Sequence, residues 1–160
     1  MPRTDHPRHI WKAARFVNDV RLERTEWRDQ ELSARHRQWG FNCPAVDVDF
    51  LMIEYNHAKP VALIDYKHFK AIALRRHERS MVAITELANR ASLPFLVAYY
   101  WPDIWAFRVY TMNDRAQKYF TDAELLSERD YVERLYALRS MVLVEVLEEG
   151  VLLNTALPGR

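Results

Sequence analysis

The stretch AVDVDFLMIEYNHAKPVALIDYK, residues 45–67, decides the fold. Its first half, Ala45 to Tyr55, is β-branched, aromatic and apolar, with Asp47 and Asp49 intruding near the start. Asn56-His57-Ala58-Lys59-Pro60 has turn chemistry, and Val61 to Lys67 again has strand composition. Together they predict a β-hairpin. Side chains alternate along a strand, so Asp47 and Asp49 share a face of the first strand, as Asp65 and Lys67 do of the second. With the turn centred on Ala58, Asp49 falls opposite Lys67 and Leu51 opposite Asp65. Asp49 and Asp65 are then diagonal neighbours, about 7–8 Å apart between backbones.

Carboxylates held that close repel one another unless something neutralises them. Two hard oxygen donors suit Mg²⁺ or Mn²⁺ and leave positions for water and a phosphate oxygen. A neighbouring lysine ammonium adds positive charge where the phosphate would lie. The ordinary alternative is an ion pair of Asp49 with Lys67 at an exposed strand edge. Val61 to Ile64 reads as a buried strand, however, and charge at the end of a buried strand needs a reason. The metal site is the preferred reading.

Upstream, residues from about 10 to 38 contain neither glycine nor proline and carry spaced apolar positions, which predicts helix, with a break near Asn18-Asp19. Gly40 ends it as a C-cap. Downstream, Leu74, Met81, Ile84, Leu87 and Ala88 predict an amphipathic helix within 71–90. Phe95 to Tyr100 and Ile104 to Tyr110 predict a second hairpin around Trp101-Pro102-Asp103. Thr121-Asp122-Ala123-Glu124 and Ser127-Glu128-Arg129-Asp130 both have capping-box form and predict helix through Leu138. The order α, β, β, α, β, β, α predicts an α/β domain, a central mixed sheet flanked by helices.

Composition narrows the function. The 160 residues suit one domain, 1–160, rather than two. Glycines stand only at 40, 150 and 159, so no Gly-rich phosphate loop exists and two large nucleotide-binding classes are excluded. Cys43 is alone, which rules out an internal disulfide, suits a reducing cytoplasm and reads as buried packing rather than a nucleophile. No apolar run is long enough to span a membrane. A net charge of +1 gives no hint of a polyanionic partner, but basic residues gather at 35–37, 67–70 and 75–77 while acidic ones gather later. That split could orient the chain on nucleic acid. Arg35, Arg37, His68, Lys70, Arg75 and Arg76 are the candidate phosphate contacts. Tyr99, Tyr100, Trp101, Trp105 and Phe107 could stack on bases, but at strand spacing they read first as core.

Pro44-Ala45-Val46-Asp47-Val48-Asp49-Phe50 followed by Ala62-Leu63-Ile64-Asp65-Tyr66-Lys67 resembles the signature of the PD-(D/E)XK nuclease superfamily. The resemblance spans about residues 26–112, with a helical C-terminal part at 114–149. It implies a restriction endonuclease-like αβββαβ core. It further implies metal ligation by Asp49, Asp65 and the backbone carbonyl of Tyr66, a catalytic role for Lys67, and a helical Glu, for which Glu31 is chosen over Glu26. The Asp is not directly preceded by Pro, so Asp47 and Asp49 both stay open as the motif residue. The implied activity is Mg²⁺- or Mn²⁺-dependent endonucleolytic hydrolysis of DNA, by a stand-alone or homodimeric cytoplasmic enzyme of the kind phages and mobile elements encode. The alternative is a non-catalytic nucleic-acid-binding or assembly module on the same fold, separated from the first by metal-dependent cleavage.

Overall fold

The computed structural model describes residues 16–17, 20–21, 35, 38–39, 45–54, 57–140 and 153–159. The chain forms two compact units, residues 1–45 and 46–160. In the first, β1 (Phe16–Val17) pairs antiparallel with β2 (Val20–Arg21). This corrects the helix expected over 10–38 at these four residues. The paired residues flank the break expected near Asn18-Asp19, with Val17 opposite Val20. Arg35 and Gln38 are helical. The remainder of the expected helix lies outside the described residues, as do Gly40 and Cys43.

The second unit is α/β. Its elements are β3 (Phe50–Glu54), β4 (Lys59–His68), α1 (Arg79–Arg90), β5 (Phe95–Trp101), β6 (Ala106–Thr111), α2 (Asp114–Gln117), β7 (Glu124–Leu126) and α3 (Glu128–Leu138). The strands form one mixed sheet in the order β3-β4-β5-β6-β7. Only the β4–β5 pair is parallel, joined through α1; the other pairs are antiparallel. No described helix is long and apolar enough to cross a membrane.

The hairpin forms where the composition places it, in a different register. Phe50 pairs with Ile64 and Leu51 with Leu63. Asp65 is therefore not opposite Leu51, and continuing the ladder sets Asp49 opposite Asp65 itself. The cause is Lys59-Pro60, expected in the turn but built into β4. Ala58 turns the chain at φ 51°, and the register slips between Met52 and Ile53, where Pro60 sits opposite Ile53. Proline cannot donate to a ladder, and a bulge is one of the few places a strand admits it.

Each face of the sheet has its own core. Leu63, Phe95, Val97 and Tyr99 pack with Met81, Ile84 and Ala88 of α1. On the other side Ile64, Leu96, Ala98, Phe107 and Val109 pack with Ala116, Phe120, Tyr131 and Leu138. Two expectations are corrected here. The helix after β4 starts at Arg79 rather than Ala71, because residues 69–78 form a turn and loop whose Ile72 carbonyl accepts from the Tyr99 hydroxyl at 2.6 Å. Thr121 to Glu124 begins no helix: Glu124 Oε2 does accept from the Thr121 N–H at 3.1 Å, but the chain continues as β7 beside β6. Ser127 does cap α3, accepting from the Asp130 N–H at 3.2 Å.

Candidate metal-binding and catalytic cleft

Alternation along β4 sends Leu63, Asp65 and Lys67 toward the α1 face and Ile64, Tyr66 and His68 toward the other. Tyr66 marks the division, since its hydroxyl is hydrogen-bonded to that of Tyr131 at 2.8 Å on the far side from the carboxylate. Pairing with β3 stops at Ile64, so Asp65 to His68 run on past it, held on their other side by β5. Asp49 lies one residue before β3 and reaches across to Asp65.

The result is a charged cluster on a cleft of about 230 Å³, lined by Asp47, Asp49, Asp65 and Lys67 and walled by Ser80, Met81 and Ile84 of α1. Asp65 is 7% exposed, and its Oδ2 accepts from the Lys67 ammonium at 2.9 Å. Burial raises the Asp49 pKa, and the hydrogen bond and charge of Asp65 raise it further; Lys67 opposes them, and the net value is pushed up to about 6. For Lys67 burial pulls downward, but the hydrogen bond and charge of Asp65 reverse this and hold the ammonium above its ordinary value. The wall residues from α1 were not singled out for the site by sequence; only the spacing of Met81 and Ile84 hinted that this helix covers the Asp65 face.

A hydrogen bond between two carboxyl groups requires a proton on one of them. That shared position is where a divalent cation would be held, and the oxygen donors fit a hard ion such as Mg²⁺ or Mn²⁺. Among the described residues no three Asp, Glu, His or Cys side chains form a metal cluster. The set available is Asp49 and Asp65, with Asp47 on the same cleft. Glu31 and Arg37 lie outside the described residues. Arg35 belongs to the first unit, where its guanidinium donates to Gln38 at 3.3 Å. Arg75 and Lys70 are exposed in the loop after β4. Arg76 is engaged by structure, donating to the Thr111 carbonyl and to Asp122 Oδ1, each at 2.6 Å. His68 faces away from the carboxylates, its Nδ1 accepting from the Lys70 N–H at 3.2 Å.

The raised Asp49 value has a testable sign. Its folded pKa of about 6 exceeds the reference 3.8, so between them the native state binds more protons than the unfolded one. The contribution is complete below the lower value and is lost as pH rises through about 6. In EDTA the thermal midpoint is expected to fall from about pH 4 to about pH 7, and Asp49→Asn to flatten the slope. Added Mg²⁺ should raise the midpoint more at neutral pH than at pH 5, because cation and proton compete. Thermal melts across pH, with and without metal, check both.

No protein-family model, curated protein or solved structure matches the chain.

Proposed function

We propose that this chain is a metal-dependent nuclease that hydrolyses DNA phosphodiester bonds, using Mg²⁺ or Mn²⁺ held by Asp49 and Asp65 with Lys67 beside them. The observation that carries the reading is the meeting of two carboxyl groups and a lysine ammonium on one open cleft, against the cost of assembling like charges with nothing to bind. The antiparallel β3–β4 hairpin followed by α1 and the parallel β5 supports a restriction endonuclease-like core, with the Asp65-Tyr66-Lys67 segment on β4, a strand paired on both sides within the sheet.

The residues divide the work. Asp49 and Asp65 bind and orient, and the Tyr66 carbonyl is the further donor the resemblance implies. Lys67 stays charged at neutral pH and donates through Nζ, to Asp65 in the free protein and to an attacking water or phosphate oxygen when substrate fills the cleft. A divalent cation, when bound, supplies charge to offset what develops on the phosphate during in-line displacement. Met81 and Ile84 give the cleft an apolar wall, which strengthens the electrostatics by limiting water.

The test is cleavage of supercoiled plasmid, linear duplex, single-stranded and branched DNA in Mg²⁺, Mn²⁺ or EDTA. Wild type should cut only with metal, and Lys67→Ala should be slower by about 10²–10³-fold. Failure to cut any substrate, with normal folding and no metal binding, transfers the reading to a nucleic-acid-binding module.

A further inference from the structure

Beyond Lys67 the chain places aromatic residues at the same end of two neighbouring strands. β4 and β5 run parallel in the register Lys67↔Tyr99 and His68↔Tyr100, and the Phe69 N–H extends the ladder by donating to the Tyr100 carbonyl at 2.9 Å. Phe69 and Trp101 therefore arrive together and stack, with centroids 5.6 Å apart and planes at 17°. His68 lies 4.7 Å from Phe69 and 5.6 Å from Tyr100, and Tyr100 stacks on Trp105 at 6.0 Å and 16°. Five rings thus form one continuous chain along the rim, beginning one residue after Lys67.

Several observations set this rim apart from core packing. Of the five, only Tyr100 packs against a buried cluster. Trp105 is 47% exposed. It also sits at φ 52°, a conformation glycine or asparagine adopts at lower cost than an indole. Bulky residues held in such conformations concentrate at ligand-binding places. Positive charge accompanies the rings, since the Lys70 ammonium lies 5.4 Å from the Phe69 centroid and Lys67 precedes it. Flat π-faces with adjacent cations match a nucleic-acid strand whose bases are free to stack and whose phosphates need neutralising. Paired bases inside a duplex offer no such faces.

We propose that this rim is a stacking platform for unpaired nucleobases, so that the neighbouring cleft takes single-stranded or locally opened nucleic acid in preference to intact duplex. The substrate clause rests on the nuclease reading; the platform does not. At about 3.3 Å per residue, Asp65 and Phe69 are separated by about 13 Å of strand, so a base on the rim keeps a nearby phosphate within reach of the cleft.

The experiment measures binding of a short oligothymidine and of a blunt duplex in EDTA at fixed salt, by tryptophan fluorescence and anisotropy. Wild type should bind the single strand with quenching. Phe69→Leu and Trp105→Asn should each weaken it about tenfold, with duplex affinity unchanged. Trp105→Asn relieves the backbone constraint, so lost affinity there reports the ring and not the turn. Phe69→Tyr should bind as wild type. Wild-type affinity in both ring-removal variants overturns the platform, and if metal-dependent cleavage persists alongside, the nuclease reading stands without it. Ring-dependent binding with no cleavage of any substrate sustains the platform and removes the nuclease.

Discussion

Asp65→Asn is expected to lower metal-dependent cleavage by about 10³-fold, the several kcal/mol of charge stabilisation a bound cation supplies. The same change should leave the metal-free protein at least as stable as wild type. Asp65 is buried and accepts from Lys67, so an ordinary buried ion-pair partner would be costly to lose. Here the loss is offset. Asparagine keeps an oxygen for the Lys67 ammonium, and its amide can donate to Asp49, relieving the carboxyl pair that adds to burial in raising the Asp49 value to about 6. Activity and stability then separate, as they do where a site is kept for chemistry at some expense to the fold. Cleavage rates with urea melts in EDTA measure both. A stability loss of about 3 kcal/mol in the metal-free protein would instead mark Asp65 as a structural ion-pair partner.

The second large effect lies away from the cleft. Asn113 is buried, and its side chain joins three elements. Its Oδ1 accepts from the N–H groups of Phe95 and Ala116, at 3.2 and 3.1 Å. Its amide donates to the Leu93 carbonyl at 2.8 Å and to Asn89 Oδ1 at 3.0 Å. One residue thus caps α2, starts β5 and ties the end of α1 to both. Asn113→Ala leaves buried backbone groups without partners as well as removing a cap, and should cost about 3 kcal/mol. In this unit that corresponds to a thermal midpoint lower by about 10 °C. Cleavage per folded molecule should stay near wild type, and a loss under about 0.5 kcal/mol would place the residue among ordinary surface positions.

Legibility in the sequence followed how local each cause was. The hairpin, the strand at Phe95 and the capped helix at Ser127 were readable because composition and nearest neighbours determine them. The Asp65 and Lys67 pair was readable because strand alternation alone puts them on one face. The nearness of Asp49 to Asp65 was readable too, but its exact register was not, because a positive φ at Ala58 and a proline inside a strand shift the ladder by two positions. β7 was hidden for a similar reason. Thr121 to Glu124 makes one of the contacts of a capping box, and only pairing with β6 makes the segment extended. Asn113 carries no sequence signal beyond a cap, since three of its four partners lie 18 to 24 residues away.

Alternation along β4 also determines which changes of chain length the protein can survive. Odd positions from Leu63 to Lys67 face the cleft and α1, while even positions face the Tyr131 side. Deleting or inserting one residue between Pro60 and Asp65 would exchange the two sets, sending the carboxylate and ammonium into apolar packing and Ile64 and Tyr66 into the cleft. The loop from Lys70 to Glu78 has no such parity to keep. Across diverging copies of this chain, β4 should therefore behave as a fixed reading frame, and length variation should collect in the loops on either side of it.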